Sequence, residues 1–241
     1  MKYSVMTDKG IKRATNQDSC FVECLNEKSC FAVVCDGMGG GNAGNIASDI
    51  AVKTISQRVN LSWRQDMSIA SAQNILTTAI AAANICVYDE AQTSDALRGM
   101  GTTVVAAIIL NGRLVIAHAG DSRAYIAGKE LKRITKDHSL VQNMLDAGEL
   151  TVTQAEHHPD KNYITRALGI EEHLETDFTQ CDIGVGEKLL LCSDGLTNFV
   201  PEDEILRLLT QFPTEDAAQL LINKANENGG GDNITAVVIE N

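Results

Sequence analysis

The sequence predicts a layered α/β sandwich, with antiparallel β-sheets covered by α-helices. Strand-length apolar runs follow one another through short loops, which favours antiparallel pairing. Two long helix-patterned stretches separate one block of strands from the next. No Ser/Gly/Pro-rich linker divides the 241 residues, and only Pro159, Pro201 and Pro213 occur. No fixed-period repeat is visible, so a single domain over residues 1–241 is expected.

Each element has a local reason. Residues 2–7, 19–25 and 30–35 read as strands. The stretch from Asn42 to Val59 reads as helix. A longer one, about Ser68 to Glu90, carries Ile75, Leu76, Ala79, Ile80, Ala83 and Val87 at helical spacing. Strands follow near 102–110, 113–119 and 122–127, and Asn111-Gly112 between two of them is a hairpin signal. Helices return at about 138–147 and 151–156, the latter with the capping pattern Thr151-x-x-Gln154. A strand over 187–193 leads to a helix opened by Pro201, with Glu202, Asp203 and Glu204 favourable in its first turn. A helix near 214–227 precedes a final strand, 233–239.

Composition excludes several classes. Hydrophobic content of 44% is ordinary for a folded chain, and a formal net charge of −12 argues against nucleic acid and anionic lipid as partners. No apolar stretch reads as long enough to span a bilayer, and Met1 to Val5 lacks the apolar core of a signal peptide. Seven cysteines occur without any C-x-x-C, so most are expected as small core residues in a reducing cytoplasm.

The chemistry starts from three acids. Phe31 to Cys35 runs into Asp36-Gly37, Leu189 to Ser193 runs into Asp194-Gly195, and Asp232 follows Gly229-Gly230-Gly231 before the run Ile234 to Ile239. Strands thus deliver three carboxylates to a common edge. At ~4 Å and an effective dielectric near ~20, each like-charged pair costs roughly 4 kcal/mol. A hard divalent cation, Mg²⁺ or Mn²⁺, is the natural neutraliser of an all-oxygen cluster. Asp36 could bridge two ions, and Gly37 lets its carbonyl approach one directly.

Other segments leave alternatives open. Gly39 to Gly44 satisfies the dinucleotide pattern G-x-G-x-x-G. Asp36 just upstream would repel a pyrophosphate, and a second helix follows where a βαβ unit needs a strand. Arg13, in the loop from Gly10 to Asp18, offers a planar fork for phosphate or is an exposed loop arginine. Asp121 is either a further metal ligand or ties down a hairpin turn with Arg123. His138 and the pair His157-His158 are general acids, ligands or merely surface and capping groups. Thr165 to Gly169 is a basic element without an assigned role.

Taken together, the chain resembles the PP2C (PPM) family of metal-dependent Ser/Thr protein phosphatases in its bacterial form. The resemblance spans nearly the whole sequence. It rests on Arg13-x-x-Asn16-Gln17-Asp18, Asp36-Gly37-Met38-Gly39-Gly40, Gly101-Thr102-Thr103, Gly120-Asp121-Ser122-Arg123, Asp137-His138-Ser139, Thr165 to Gly169, Ser193-Asp194-Gly195-Leu196 and Gly231 to Thr235. It implies two packed antiparallel β-sheets flanked by α-helices, and hydrolysis of phosphoserine and phosphothreonine on proteins by a metal-activated water. It implies two Mn²⁺ or Mg²⁺ ions bridged by Asp36, with Asp194, Asp232 and the Gly37 carbonyl completing their shells. Asp18 would stand just behind these ligands. A third ion, as bacterial relatives often bind, maps to Asp121 with Asp194. Arg13 would hold the phosphate, and about 143–162 would form a mobile flap. The implied partners are phosphorylated proteins, a Ser/Thr kinase being the opposing enzyme, and the expected state is a monomer. Met38 stands where eukaryotic relatives carry a histidine, leaving the general acid unassigned. Gln17 stands where many relatives have Glu. A silent phosphoprotein-binding module is the alternative of another class, disfavoured by the presence of every acid and of Arg13.

Overall fold

The computed structural model describes every residue except Gly41, Asn42 and His157, together with the side chain of Glu156. Two antiparallel sheets pack face to face between two pairs of helices. One sheet has the order β1 (Lys2–Asp8), β11 (Ile234–Glu240), β10 (Lys188–Cys192), β7 (Arg123–Ala127), β8 (Leu131–Arg133). The other has the order β2 (Asp18–Asn26), β3 (Ser29–Met38), β5 (Val104–Leu110), β6 (Arg113–Ala119), β9 (Asp177–Asp182), and β4 (Gly101–Thr102) pairs with the end of β3.

The apolar runs have a simple cause, since the central strands are covered on both faces. In β3, Phe31, Val33 and Cys35 face helices α1 (Ala43–Ser62) and α2 (Ile69–Ala91), while Cys30, Ala32 and Val34 face the opposite sheet. In β10 and β11, Leu190, Cys192, Ala236 and Val238 face α6 (Glu202–Gln211) and α7 (Thr214–Glu227). Leu189, Leu191, Val237 and Ile239 fill the seam between the sheets. Each fully buried Leu, Ile or Val removes enough apolar surface to contribute about 1.5–3 kcal/mol.

Helix α2 departs from one expectation: it is long and apolar enough to cross a membrane by length and composition. Its alanines raise the apolar content without a conspicuous run of large side chains. Ala72, Leu76, Ala79, Ile80, Ala83 and Val87 are buried in the cluster shared with α1 and the β2–β3–β5 sheet. Ser68 caps its start by accepting the Ser71 N–H at 3.1 Å. Because α1 is followed by α2, the Gly39–Gly44 segment does not open a βαβ unit, and its Gly41 and Asn42 lie outside the described residues.

Other differences are local. The first Asp-Gly does not end its strand, since β3 continues to Met38 and pairs Gly37 with Thr102. The expected 102–110 strand breaks at Thr103, whose backbone and side chain both turn to Asp36. Strands β8 and β9 were not expected, because Leu131-Lys132-Arg133 and Asp177 to Asp182 are polar and largely solvated. A one-turn helix, α5 (Asp194–Thr197), fills the space before α6. The segment expected as a flap holds α3 (Leu140–Asp146) and α4 (Val152–Glu156), with His157 outside the described residues. A cavity of about 780 Å³ lies between these helices and the Thr197–Glu202 turn.

Candidate metal centre

The centre assembles where the two sheets meet. Asp18 and Asp36 are direct cross-strand partners at one end of the β2–β3 ladder. Thr103 holds Asp36 in place: its N–H donates to the Asp36 carbonyl at 2.8 Å, and its Oγ1 accepts the Asp36 N–H at 2.9 Å. Ser122 Oγ in turn lies 2.7 Å from Thr103 Oγ1.

The other sheet supplies Asp194 and Asp232. Asp194 opens α5, and Asp232 lies two residues before β11. A Cβ on Gly195 would fall 1.9 Å from the Asn233 carbonyl oxygen, so only glycine lets these two segments touch. Gly37 plays the same part on β3, where a Cβ would fall 2.0 Å from the Gly44 carbonyl oxygen at the start of α1. Asp18 ties the halves together. Its Oδ2 accepts from Ser193 Oγ and Thr235 Oγ1, both at 2.7 Å.

The loop carrying Arg13 is pinned by Asn233. The Asn233 amide donates to the carbonyls of Lys9 and Thr15 at 2.9 Å, and its Oδ1 accepts the Gln17 N–H at 2.8 Å. Arg13 Nη2 reaches Asp232 Oδ2 at 2.8 Å from a half-exposed position. Asn198 donates to Asp194 Oδ2 at 2.9 Å, one helical turn on.

The electrostatics are those of crowded, buried carboxyls. Burial pushes Asp36 well above the usual carboxylate range, and the charges of Asp18, Asp194, Asp121 and Asp232 push it further. Asp18 is raised to about 7, by burial first and then by Asp194 and Asp232 against the hydroxyls that lower it. Asp194 is raised to about 6 by burial and Asp232, partly offset by a hydrogen bond with Asp36. Asp121 is raised well above its ordinary value by burial, Asp194 and Asp137. Nearby Arg123 is a weak counterweight, because its guanidinium is committed to Asp137 through Nη2 at 2.7 Å and Nε at 3.1 Å.

A hard cation fits this cluster. The donors are all oxygen, they repel one another when ionised, and Asp18 Oδ1 and Asp121 Oδ1 are buried without a hydrogen-bond partner among the described residues. Every residue singled out from the sequence for this site is here: Arg13, Asp18, Asp36, Gly37, Asp121, Asp194 and Asp232. Sequence reasoning gave no role to Thr103, Ser122, Ser193, Asn198, Asn233 or Thr235. All but Asn198 lie within the segments that carry the resemblance, and Asn198 is signalled only by its spacing, four residues after Asp194.

A second cluster, His118, His138 and Asp177, brings ligand atoms within 4.8 Å of one another. Hydrogen bonding speaks against an ion there. His138 Nδ1 accepts the Gly120 N–H at 3.2 Å, which leaves the proton on Nε2, 3.2 Å from Asp177 Oδ2. Arg166 already neutralises Asp177 at 2.9 Å. His138 is therefore a buried clamp on the Gly120–Asp121 turn, neither a surface group nor a ligand. His158 accepts the Asp160 N–H at 3.1 Å, a local turn contact.

The comparisons with known proteins agree in sequence and in fold. The family profile described as protein phosphatase 2C matches residues 10–224. The chain is 41% identical over 241 residues to the serine/threonine phosphatase stp of Listeria innocua, covering 97% of this chain and 93% of that protein. The S. agalactiae serine/threonine phosphatase superposes with a TM-score of 0.91 at 36% identity, covering 100% of this chain and 99% of that one. The catalytic domain of the serine/threonine protein phosphatase PstP, solved with 2 manganese ions, superposes at 0.86 with 33% identity, over 99% and 97% of the two chains.

Proposed function

The chain belongs to the protein phosphatase 2C family and is a serine/threonine protein phosphatase, and we propose that its buried acids form the metal site of that reaction. Asp36, Asp194, Asp232 and the Gly37 carbonyl would hold two Mn²⁺ or Mg²⁺ ions, and Asp121 with Asp194 a third. Such ions supply Lewis-acid activation of water and neutralise charge on the phosphoryl oxygens. The observation that carries this reading is the cluster itself: five carboxyls from both sheets, two with buried oxygens that no described residue satisfies. The PstP domain with its manganese pair supports the ion count.

The residues around the ions have separable tasks. Asn233 pins the loop on either side of Arg13, at Lys9 and Thr15, and the Arg13 side chain is half-exposed, so it can meet a phosphate monoester entering from solvent. Asp18 holds Ser193 and Thr235, and so fixes Asp194 relative to β11. Thr103 holds the Asp36 backbone. The 143–162 segment stands beside the entrance as a flap, with the cavity beneath it a place for peptide flanking the phosphate. No covalent enzyme intermediate is required, and Cys35 and Cys192 are fully buried, with their thiols pushed up by burial.

The substrates are phosphorylated proteins, and the enzyme opposes a Ser/Thr kinase. One chain supplies every proposed site residue, which supports a monomer, and seven free thiols suit a reducing cytoplasm. The test is phosphate release from a phosphothreonine peptide with Mn²⁺, against EDTA and Asp36→Asn. Activity that survives EDTA, or is undiminished in the variant, overturns the reading.

A further inference from the structure

Four of the seven cysteines lie on the β2–β3 hairpin, and two of these stand directly opposite each other. Cys24 of β2 and Cys30 of β3 are cross-strand partners. Their side chains point the same way, into the seam between the sheets. The six-residue spacing hides the pair from the sequence, because only the turn at Glu27 and Lys28 brings it together. Directly opposed residues of an antiparallel pair have Cα atoms about 4.5–5.5 Å apart, within the roughly 4.4–6.8 Å that a disulfide spans. Among the described cysteines no other two are register partners: Cys20 faces Val34, and Cys35 faces Ser19.

We infer that Cys24 and Cys30 form a peroxide-responsive dithiol, Cys24 being the sulfur attacked and Cys30 the one that closes the disulfide. β2 is the edge strand of its sheet, and Cys24 is half-buried, so a small oxidant can reach it. Cys30 is fully buried beneath it. The neighbouring Cys30 lowers the Cys24 thiol from its ordinary value, while Cys24 and burial push the Cys30 thiol up. Thiolate character and access therefore fall on one residue, and the resolving thiol sits beside it.

The chemistry balances. The Cys24 thiolate attacks one peroxide oxygen, the O–O bond breaks, and the displaced oxygen leaves as water after taking a proton. The sulfenic acid at Cys24 is then attacked by the Cys30 sulfur. The S–O bond breaks, the S–S bond forms, and a second water leaves with the Cys30 proton. The thiols lose two electrons and the peroxide gains them.

The test uses the intact protein treated with hydrogen peroxide, quenched by alkylation, digested with trypsin without reductant and read by mass spectrometry. Trypsin cuts after Lys28, so the peptides carrying Cys24 and Cys30 stay joined only through a disulfide. The expected result is that joined pair, two hydrogens lighter than the sum of the free peptides, at the first peroxide doses that modify the protein. It should vanish in Cys24→Ser and Cys30→Ser and persist in Cys20→Ser, Cys35→Ser and Cys86→Ser. In Cys30→Ser, a sulfenic acid should instead be trapped at Cys24 by a dimedone-type reagent. Full alkylation of both thiols after peroxide, or a link that survives Cys24→Ser, overturns the inference.

Discussion

Arg13 Nη2 lies 2.8 Å from Asp232 Oδ2, so the guanidinium proposed to bind phosphate rests on a carboxylate proposed to bind metal. The arginine side chain is 51% exposed, and an ion pair this solvated is worth at most about 1 kcal/mol. It breaks cheaply when an ion or a phosphate arrives. Arg13→Ala should therefore do two opposite things. The kcat/KM for a phosphopeptide should fall by about 100-fold, the usual effect of losing a charged donor at the reacting group. The affinity for Mn²⁺ should rise about two- to five-fold, because Asp232 loses its competitor. Initial rates and titration calorimetry read these separately, and weaker Mn²⁺ binding would contradict the picture.

Asp36→Asn should separate stability from activity. The substitution replaces a buried carboxyl, whose ionisation burial and its acidic neighbours resist, with a neutral amide. In EDTA the variant should melt higher than the parent. Phosphate release in Mn²⁺ should drop by at least about 100-fold. Differential scanning calorimetry with and without Mn²⁺ should show that the ion raises the melting temperature of the parent far more than that of the variant.

The raised acids set a pH dependence with a definite sign. Asp18 sits at about 7 and Asp194 at about 6 when folded, against 3.8 as the ordinary value. Between roughly pH 4 and 7 the folded chain thus binds more protons than the unfolded one, and stability falls as pH rises through that window. The metal-free protein should melt higher at pH 6 than at pH 8. His118, whose pKa is lowered by burial, opposes the trend only toward more acidic pH. Each kcal/mol moves the melting temperature by about 2–4 °C in a domain of this size. Saturating Mn²⁺ should flatten or reverse the slope, because the ion takes the place of protons.

Glycine substitutions should sort by what a Cβ meets. Gly37→Ala and Gly195→Ala would place carbon about 2 Å from a backbone oxygen, so each should cost about 3 kcal/mol or more. Gly40→Ala meets no described residue within 4 Å and should stay within about 0.5 kcal/mol of the parent. Chemical denaturation of the three variants checks the ranking.

Much of the fold was legible because doubly covered strands leave continuous apolar runs. Asp36, Asp194 and Asp232 stood out by sitting at the ends of such runs. β8 and β9 were not legible, since edge strands such as Asp177 to Asp182 keep polar residues in water. The partnership of Asp18 with Ser193 and Thr235 joins residues 175 and 217 positions apart, which no local pattern can reveal. His138 misled for a related reason: its environment is made by Gly120, Asp177 and Arg166, all distant in sequence.

Ser193 and Thr235 come late in the chain, and the carboxylate they hold comes early. A nascent polypeptide that has already closed the β2–β3 hairpin still lacks three of its five acids and both of the hydroxyls that bridge to Asp18. Dephosphorylation can begin only once synthesis has passed β11 and the halves have docked, so ribosome-bound chains stalled before that strand should be inert.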